Sequence, residues 1–488
     1  MYIMDPFHPA HFHSDGTLQL NGQTVSYRTV SEDNVFYDNS GNAIASVFSF
    51  SYFRNEENPS DRPVLFCFNG GPGSSSMLIH AGCFGTKRIA YPESVAEHPS
   101  LPPYEVIDNP NCLLDTADLV MVDPVGTGFA RLLDPAAKEQ FLGIEADAEA
   151  LVVFIQHWLT KYHRWNSPRY LVGESYGCTR AVTAAAIACS SGKKDSYHLA
   201  FNGIICIGNT ITTASYFNKG IPVEYAVEAL PTMAAIHWYH HLSDSGIPLE
   251  EFVSKARQFA DHDYLIALHK GIFLTDAEKA QLAEQLMYFT GVSEEYLEKR
   301  DFRLERISFC KEVLRKDKKV VSVYDGRFAR QEFLPQIDEE SGRFFSDASM
   351  ARYGTACQAA LHSAILPTLG IHDFDRVYIA STSYGSELEK APLWNFETER
   401  YHSADRLSFV MNAIPGMRLM FINGYYDLCT QTGVLRHTLS HAHVDPDRIH
   451  LKEYPSGHMA YIGEENVRDI SNDIRAFISP VSSHEPRL

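Results

Sequence analysis

No stretch of this chain approaches the roughly 18 consecutive apolar residues that a membrane-spanning helix needs, so nothing in it reads as a span. The N-terminus, Met1-Tyr2-Ile3-Met4-Asp5-Pro6, lacks a basic region followed by an apolar run, so no secretory signal is expected there. Cysteine is scarce and scattered. The nine residues form no Cys-x-x-Cys pair, which argues against a paired-cysteine zinc site and favours a reducing, cytoplasmic setting. Several lie inside apolar runs, where a cysteine serves as a small buried hydrophobe. Positive charge is also short. The 42 Lys and Arg face 61 Asp and Glu, for a net charge of −19. That balance argues against nucleic acid and anionic membrane surfaces as partners. The longest acidic run is only Asp338-Glu339-Glu340, so the charge is spread along a solvated surface. Internal repeats and low-complexity tracts are absent.

A chain of 488 residues exceeds one ordinary core, so one large domain with an insertion is expected. At the N-terminus His8, His11 and His13 have no acid or cysteine spaced to complete a metal site, so residues 1–16 read as a polar tail. Residues 17–52 alternate apolar and polar between turn signals such as Asn21-Gly22 and Asp38-Asn39-Ser40-Gly41-Asn42, the pattern of antiparallel hairpins. From residue 63 the pattern changes to short continuous apolar runs, as in buried strands: 63–68, 117–122, 168–172 and 203–207. A helix over about 143–162 places Ile144, Ala148, Leu151, Val152, Ile155, Trp158 and Leu159 on one face. Strands alternating with helices imply a mostly parallel sheet with helices on its faces. Residues 213–400 differ. Helical patterns dominate, as over 276–286 and 294–313, and read as an inserted cap. The sheet signal returns at 417–422 and 449–454, and an amphipathic helix closes the chain over about 465–478. The expected division is a core of residues 1–212 and 401–488, with a helical cap of residues 213–400.

Residues 171–177, Leu-Val-Gly-Glu-Ser-Tyr-Gly, carry the sharpest signal. An apolar strand runs into Gly173-Glu174-Ser175-Tyr176-Gly177, and a small-residue helical segment follows. This is the setting of a Gly-x-Ser-x-Gly turn that exposes a serine nucleophile. The turn strains the serine backbone, and the two glycines keep Cβ atoms out of the crowded neighbourhood. Most of the other sheet strands also end in a Gly-containing loop that carries a polar residue. Ligands in an open α/β sheet bind at the carboxyl ends of strands.

Ser175, Asp427 and His458 therefore sit where a nucleophile, an orienting acid and a base belong, in the order Ser…Asp…His of α/β-hydrolases. The hydroxyl needs a base to take its proton, and the carboxylate fixes the imidazole tautomer and stabilises the imidazolium. Asp123 is the rival acid. It precedes Ser175 and is followed by Pro124, so it reads as structural. Ser74, Ser75 and Ser76 are rival nucleophiles without the turn, and read as loop residues that satisfy backbone groups. An acyl-transfer site also needs backbone N–H donors for its oxyanion. Tyr176 N–H follows the nucleophile, and a glycine of the Asn69–Gly73 loop is placed to supply the second. Losing one such donor costs roughly 2.7–4 kcal/mol of transition-state stabilisation.

These motifs together resemble the serine carboxypeptidase family. Asn69-Gly70-Gly71-Pro72-Gly73-x-Ser75-Ser76 is similar to its early loop, and Asp123-Pro124-Val125-Gly126-Thr127-Gly128-Phe129 to its second motif. Gly173-Glu174-Ser175-Tyr176-Gly177 resembles its nucleophile motif, Gly457-His458-Met459 its histidine motif, and Asp427 its acid. The resemblance spans about residues 20–480. It implies an α/β-hydrolase fold and an exopeptidase that releases the C-terminal residue of peptides. It also implies an oxyanion hole of Gly71 and Tyr176 N–H groups. Asn69, the N–H of Gly70 and Glu174 would hold the substrate's free carboxylate, and no cofactor or metal is called for. Two carboxyl groups in contact cannot both be ionised cheaply, so that binding should weaken as pH rises.

The chain departs from the family in two places. Where the family has a cysteine bridged to one three residues after the acid, this chain has Ser74 and Thr430, with Cys429 one position early. Where the family often has a second Glu, counting along the early loop gives Cys83. An esterase or acyltransferase on the same triad therefore stays open, as does a catalytically inactive hydrolase scaffold used for binding. The expected partner is a peptide with a free C-terminus. A homodimer is left open.

Overall fold

The computed structural model describes residues 7–55, 59–190, 196–212, 223–243, 245–332, 347–382, 394–395 and 403–479. The acidic run at 338–340 lies outside them. Three long strands open the chain: β1 (His11–Leu20), β2 (Gln23–Tyr37) and β3 (Ala43–Arg54), paired antiparallel. The first hairpin turns through Asn21 and Gly22, both at positive φ, as a two-residue turn between twisted strands requires. Residues 11–16, read from the sequence as part of a tail, instead pair with residues 27–32. His11 faces Glu32 at 3.4 Å. Their alternation is too polar to announce a strand without its partner in view.

The parallel strands follow: β4 (Val64–Phe68), β5 (Asp118–Asp123), β7 (Arg169–Glu174), β8 (Gly203–Ile207), β9 (Arg418–Gly424) and β10 (Ile449–Tyr454), with the short β6 (Arg131–Leu132) on the edge of β3. The main sheet has ten strands, nine of them in the order β1-β2-β3-β5-β4-β7-β8-β9-β10 and the tenth, β6, beside β3. The central strands are buried on both faces, which is why they read as unbroken apolar runs. Alternate side chains feed two cores. Phe66, Val120, Leu171 and Phe421 pack under helices α1 (Ile144–Lys161) and α2 (Tyr176–Cys189). Leu65, Met121, Val172 and Ile422 pack with the closing helix Glu464–Ile478 on the other face.

The inserted region has a third core, built from helices Val223–His237, Leu249–Phe259 and Asp276–Thr290. One of the helical expectations needs correction. The pattern over 294–313 is two helices, Glu294–Glu298 and Arg306–Glu312. Asp301 and Phe302 adopt positive φ between them, and Glu305 starts the second by accepting from the N–H groups of Ile307 and Ser308. Residues 348–371, inside the 213–400 segment, pack into the sheet's core through Tyr353, Ala356, Ala360, Leu361 and Ile365. No helix of the described residues is long and apolar enough to cross a membrane.

Candidate active site

Ser175 ends β7 and starts α2, with φ 59° and ψ −129°. A residue with a Cβ rarely adopts this region, and such strain concentrates at functional turns. The turn is possible because its neighbours have no side chains. A Cβ on Gly173 would lie 2.2 Å from Gly177 O, and one on Gly70 would lie 2.4 Å from Tyr176 N. The Asn69–Gly73 loop therefore runs directly against the first N–H groups of α2. That brings the Gly71 segment, at φ 103°, beside Tyr176, as an oxyanion site of those two donors requires.

The strand ends are level. Glu174 pairs with Ile207, Ile207 with Ile422, and Gly424 with Tyr454. Ser175 N–H donates to Ile207 O at 2.8 Å. The next residue, Gly208, packs so closely on His458 that a Cβ would lie 2.8 Å from Nδ1. The structure thus gathers the serine turn and the histidine loop around one glycine. His458 Nδ1 bonds Asp427 Oδ2 at 2.9 Å. Asp427 also accepts from the N–H groups of Cys429 and Thr430, at 2.7 and 2.9 Å, and from the Thr430 hydroxyl at 2.5 Å. That hydroxyl also lies 3.1 Å from His458 Nδ1. Among the described residues no hydrogen bond joins Ser175 Oγ to the imidazole. Catalytic contacts of this kind commonly tighten only when substrate is bound. Ser175 itself is half-buried, while Asp427 and His458 are buried. Burial works against the imidazolium, but the Asp427 carboxylate, its hydrogen bond and Glu174 outweigh it, and the pKa of His458 is raised.

Glu174 lies at the same strand end, immediately before Ser175. It is 2% exposed, and burial raises its pKa to about 7 against the opposing pull of His458, Tyr461 and Asn69. Asn69 Oδ1 accepts from Ile79 N–H, and its side chain lies beside the Glu174 carboxyl. The structure therefore brings Asn69, Gly70 and Glu174 together beside Ser175. Cys83 is fully buried and near enough for Glu174 to raise its thiol pKa, although burial is the main cause.

The rival residues have other work. Asp123 Oδ1 accepts from the N–H and hydroxyl of Ser76 and from the Tyr378 hydroxyl, and burial pushes its pKa up to about 6. Ser75 donates its hydroxyl to Ala380 O. All nine cysteines are free thiols, and Thr430 lies inside the acid–histidine pair. Asp427, Cys429 and His458 offer an oxygen, a sulfur and a nitrogen within 4.8 Å of one another. A soft divalent cation could use that set only by displacing the hydrogen bond that Asp427 and His458 already share.

Several positioning groups were not read from the sequence. Arg180 donates to Asn69 O at 2.6 Å and to Asp147 at 2.6 Å, so a buried ion pair under α2 holds the early loop. From the inserted region, a turn at 322–328 clasps both catalytic loops. His458 N–H donates to Tyr324 O, Gly326 N–H to Tyr426 O, and Arg327 reaches Pro455 O and Ser456 while paired with Asp325. Tyr461 donates its hydroxyl to Glu174 Oε2 at 2.8 Å. Each of these contacts joins segments distant in the chain, and none leaves a local pattern.

Known proteins match this arrangement. Residues 35–245 match the model of the serine carboxypeptidase family. Serine carboxypeptidase-like 13 of Arabidopsis thaliana is 30% identical over 185 residues, which is 36% of this chain and 40% of that protein. Serine carboxypeptidase-like 45 of the same plant is 28% identical over 212 residues, 42% of each. The chain thus spans less than half the length of these relatives. Among solved structures, the prohormone-processing carboxypeptidase Kex1 of Saccharomyces cerevisiae aligns with a TM-score of 0.52 at 13% identity, covering 93% of this chain and 91% of that one. The fold is that of the α/β-hydrolases, and over residues 35–245 the chain is similar to the serine carboxypeptidases.

Proposed function

We propose that this protein is a serine-type carboxypeptidase that hydrolyses the C-terminal peptide bond of peptides through an acyl-enzyme on Ser175. The observation that carries the reading is a strained serine turn with a buried Asp427–His458 pair on one side and, on the other, a buried Glu174 whose pKa burial raises to about 7. His458 takes the proton of Ser175 Oγ as the oxygen attacks the scissile carbonyl. Asp427 holds the imidazole with Nδ1 toward itself, leaving Nε2 for the serine. The N–H groups of Gly71 and Tyr176 meet the oxyanion. His458 then gives its proton to the leaving amine, and water repeats the sequence to release the acyl group. Asn69, the N–H of Gly70 and protonated Glu174 hold the terminal carboxylate of the substrate. This selects a peptide with a free C-terminus over an internal bond.

The buried thiol of Cys83 favours a second reading. Glu174 has no second carboxyl at that position, so the carboxylate clamp is weaker and esters become acceptable donors on the same triad. A peptide library followed by mass spectrometry separates the two. Loss of single C-terminal residues, abolished in Ser175→Ala and blocked by a C-terminal amide, supports the carboxypeptidase. Internal cuts overturn it. Turnover of esters alone, or transfer to an added alcohol in preference to water, favours the second reading. Failure of Ser175 to react with a fluorophosphonate points to an inactive scaffold.

A further inference from the structure

Tyr461 lies three residues beyond His458, so one loop delivers both the base and a phenol that donates to Glu174 Oε2 at 2.8 Å. The two residues are 287 positions apart, and both are buried, at 1% and 2% exposure. The ring fits because position 82 has no side chain. A Cβ on Gly82 would lie 2.6 Å from Tyr461 Cε2. The other groups whose charge or hydrogen bonding reaches Glu174 are Asn69, His458, Asp427, Cys83 and Cys357. Burial raises both thiols, which stay uncharged. The pocket therefore holds Glu174 with a phenol, an amide and two thiols, and the His458 imidazole lies nearby.

We propose that Tyr461 is the positioning residue for recognition of the substrate's terminal carboxylate, pinning Oε2 of Glu174 so that Oε1 carries the proton shared with the ligand. The proposal rests on the reading of Glu174 as the carboxylate-binding group. The hydrogen-bond inventory closes. A phenol has one hydrogen to give, and it goes to Oε2. A protonated carboxyl has one O–H, and on Oε1 it is free to bridge to a carboxylate anion. A donor to Glu174 also favours its ionised form. Removing the hydroxyl therefore makes Glu174 hold its proton to higher pH, while leaving the acid free to turn.

The test compares wild type with Tyr461→Phe, using full-length protein, one peptide with a free C-terminus and its C-terminal amide, on both sides of neutral pH. The expected result for the free acid is a KM raised roughly 2–10-fold below neutrality, from loss of one hydrogen bond, with kcat nearly unchanged. The pH at which KM climbs moves upward. In a Glu174→Gln background, Tyr461→Phe moves no pH midpoint. Gly82→Ala, which pushes the ring from its seat, reproduces the upward shift and serves if the phenylalanine variant does not fold. An unmoved midpoint in both variants, while wild type still distinguishes acid from amide, overturns the role of Tyr461 and leaves that of Glu174 standing. A wild type that treats acid and amide alike at every pH overturns both.

Discussion

Two buried carboxyl groups, Asp427 and Glu174, lie near the serine turn, and their surroundings are opposite. Asp427 accepts two backbone N–H groups, a threonine hydroxyl and the His458 ring. Glu174 has the Tyr461 hydroxyl on Oε2, a nearby Asn69 amide and two neutral thiols, and burial holds its pKa at about 7. Both lie at strand ends, so burial alone does not assign their roles. The supply of donors does. N–H and O–H donors favour the charged form of a carboxylate, and Asp427 has more of them than Glu174. The acid side is also braced by the turn at 322–328 through Tyr426, Ser456 and His458. On the Glu174 side the buried Asn69 amide lies beside the carboxyl.

Breaking the acid side should have the largest effect. Asp427→Asn keeps the size of the side chain but gives His458 Nδ1 an amide, so the imidazole takes the wrong tautomer for a base. A loss of about 10⁴ in kcat is expected, with KM little changed. Steady-state kinetics on the free-acid peptide and on a simple ester without a carboxylate check this. The two should fall by the same factor, because the tautomer matters to the chemistry and not to the C-terminus. A loss confined to the free acid would mean that Asp427 belongs to recognition.

The two sides also differ in how far the sequence reveals them. Ser175, Asp427 and His458 were legible because each follows an apolar strand and lies in a glycine loop, and because Gly70, Gly173 and Gly177 are demanded by backbone contacts under 3.3 Å. Those constraints are local, so they write themselves into neighbouring letters. Tyr461, Cys357 and the Asp325–Arg327 turn were not legible. Their partners come from other segments, and a tyrosine three residues past a histidine has no pattern of its own. The break in 294–313 was hidden for a related reason. Apolar spacing continues through Phe302 and Leu304, which face the insertion core, while the backbone leaves the helix at Asp301. The strand at 11–16 was hidden by polarity, since its alternation has meaning only beside β2.

Glu174→Gln sharpens the comparison from the other side. A glutamine amide donates to a carboxylate at every pH, as the protonated acid does only below its pKa. In wild type, KM for a free-acid peptide should rise as pH passes about 7, where Glu174 ionises. In the variant that rise should vanish, with KM below neutrality within about tenfold of wild type. Stability has a matching sign. Folded Glu174 holds its proton above the unfolded value, so its burial costs stability as pH rises from the unfolded pKa toward about 7. The glutamine variant should therefore melt higher than wild type at neutral pH and nearly equal to it in acid. A melting difference that ignores pH would count against a buried, titrating Glu174.

The smallest effect tests whether the acid side has donors to spare. Thr430→Val removes a hydroxyl that lies 2.5 Å from Asp427 Oδ2 and 3.1 Å from His458 Nδ1, and keeps the branched shape. Asp427 retains two N–H donors and the imidazole, so no buried acceptor is left bare. The expected cost is therefore that of one ordinary hydrogen bond, about 1 kcal/mol, read as a modest fall in the melting temperature. kcat should change by less than about tenfold, because the tautomer of His458 is still fixed by Oδ2. A loss approaching that of Asp427→Asn would show that the hydroxyl and the carboxylate act as one unit. The contrast between a richly and a poorly supplied carboxylate would then rest on Thr430 rather than on the backbone of its loop.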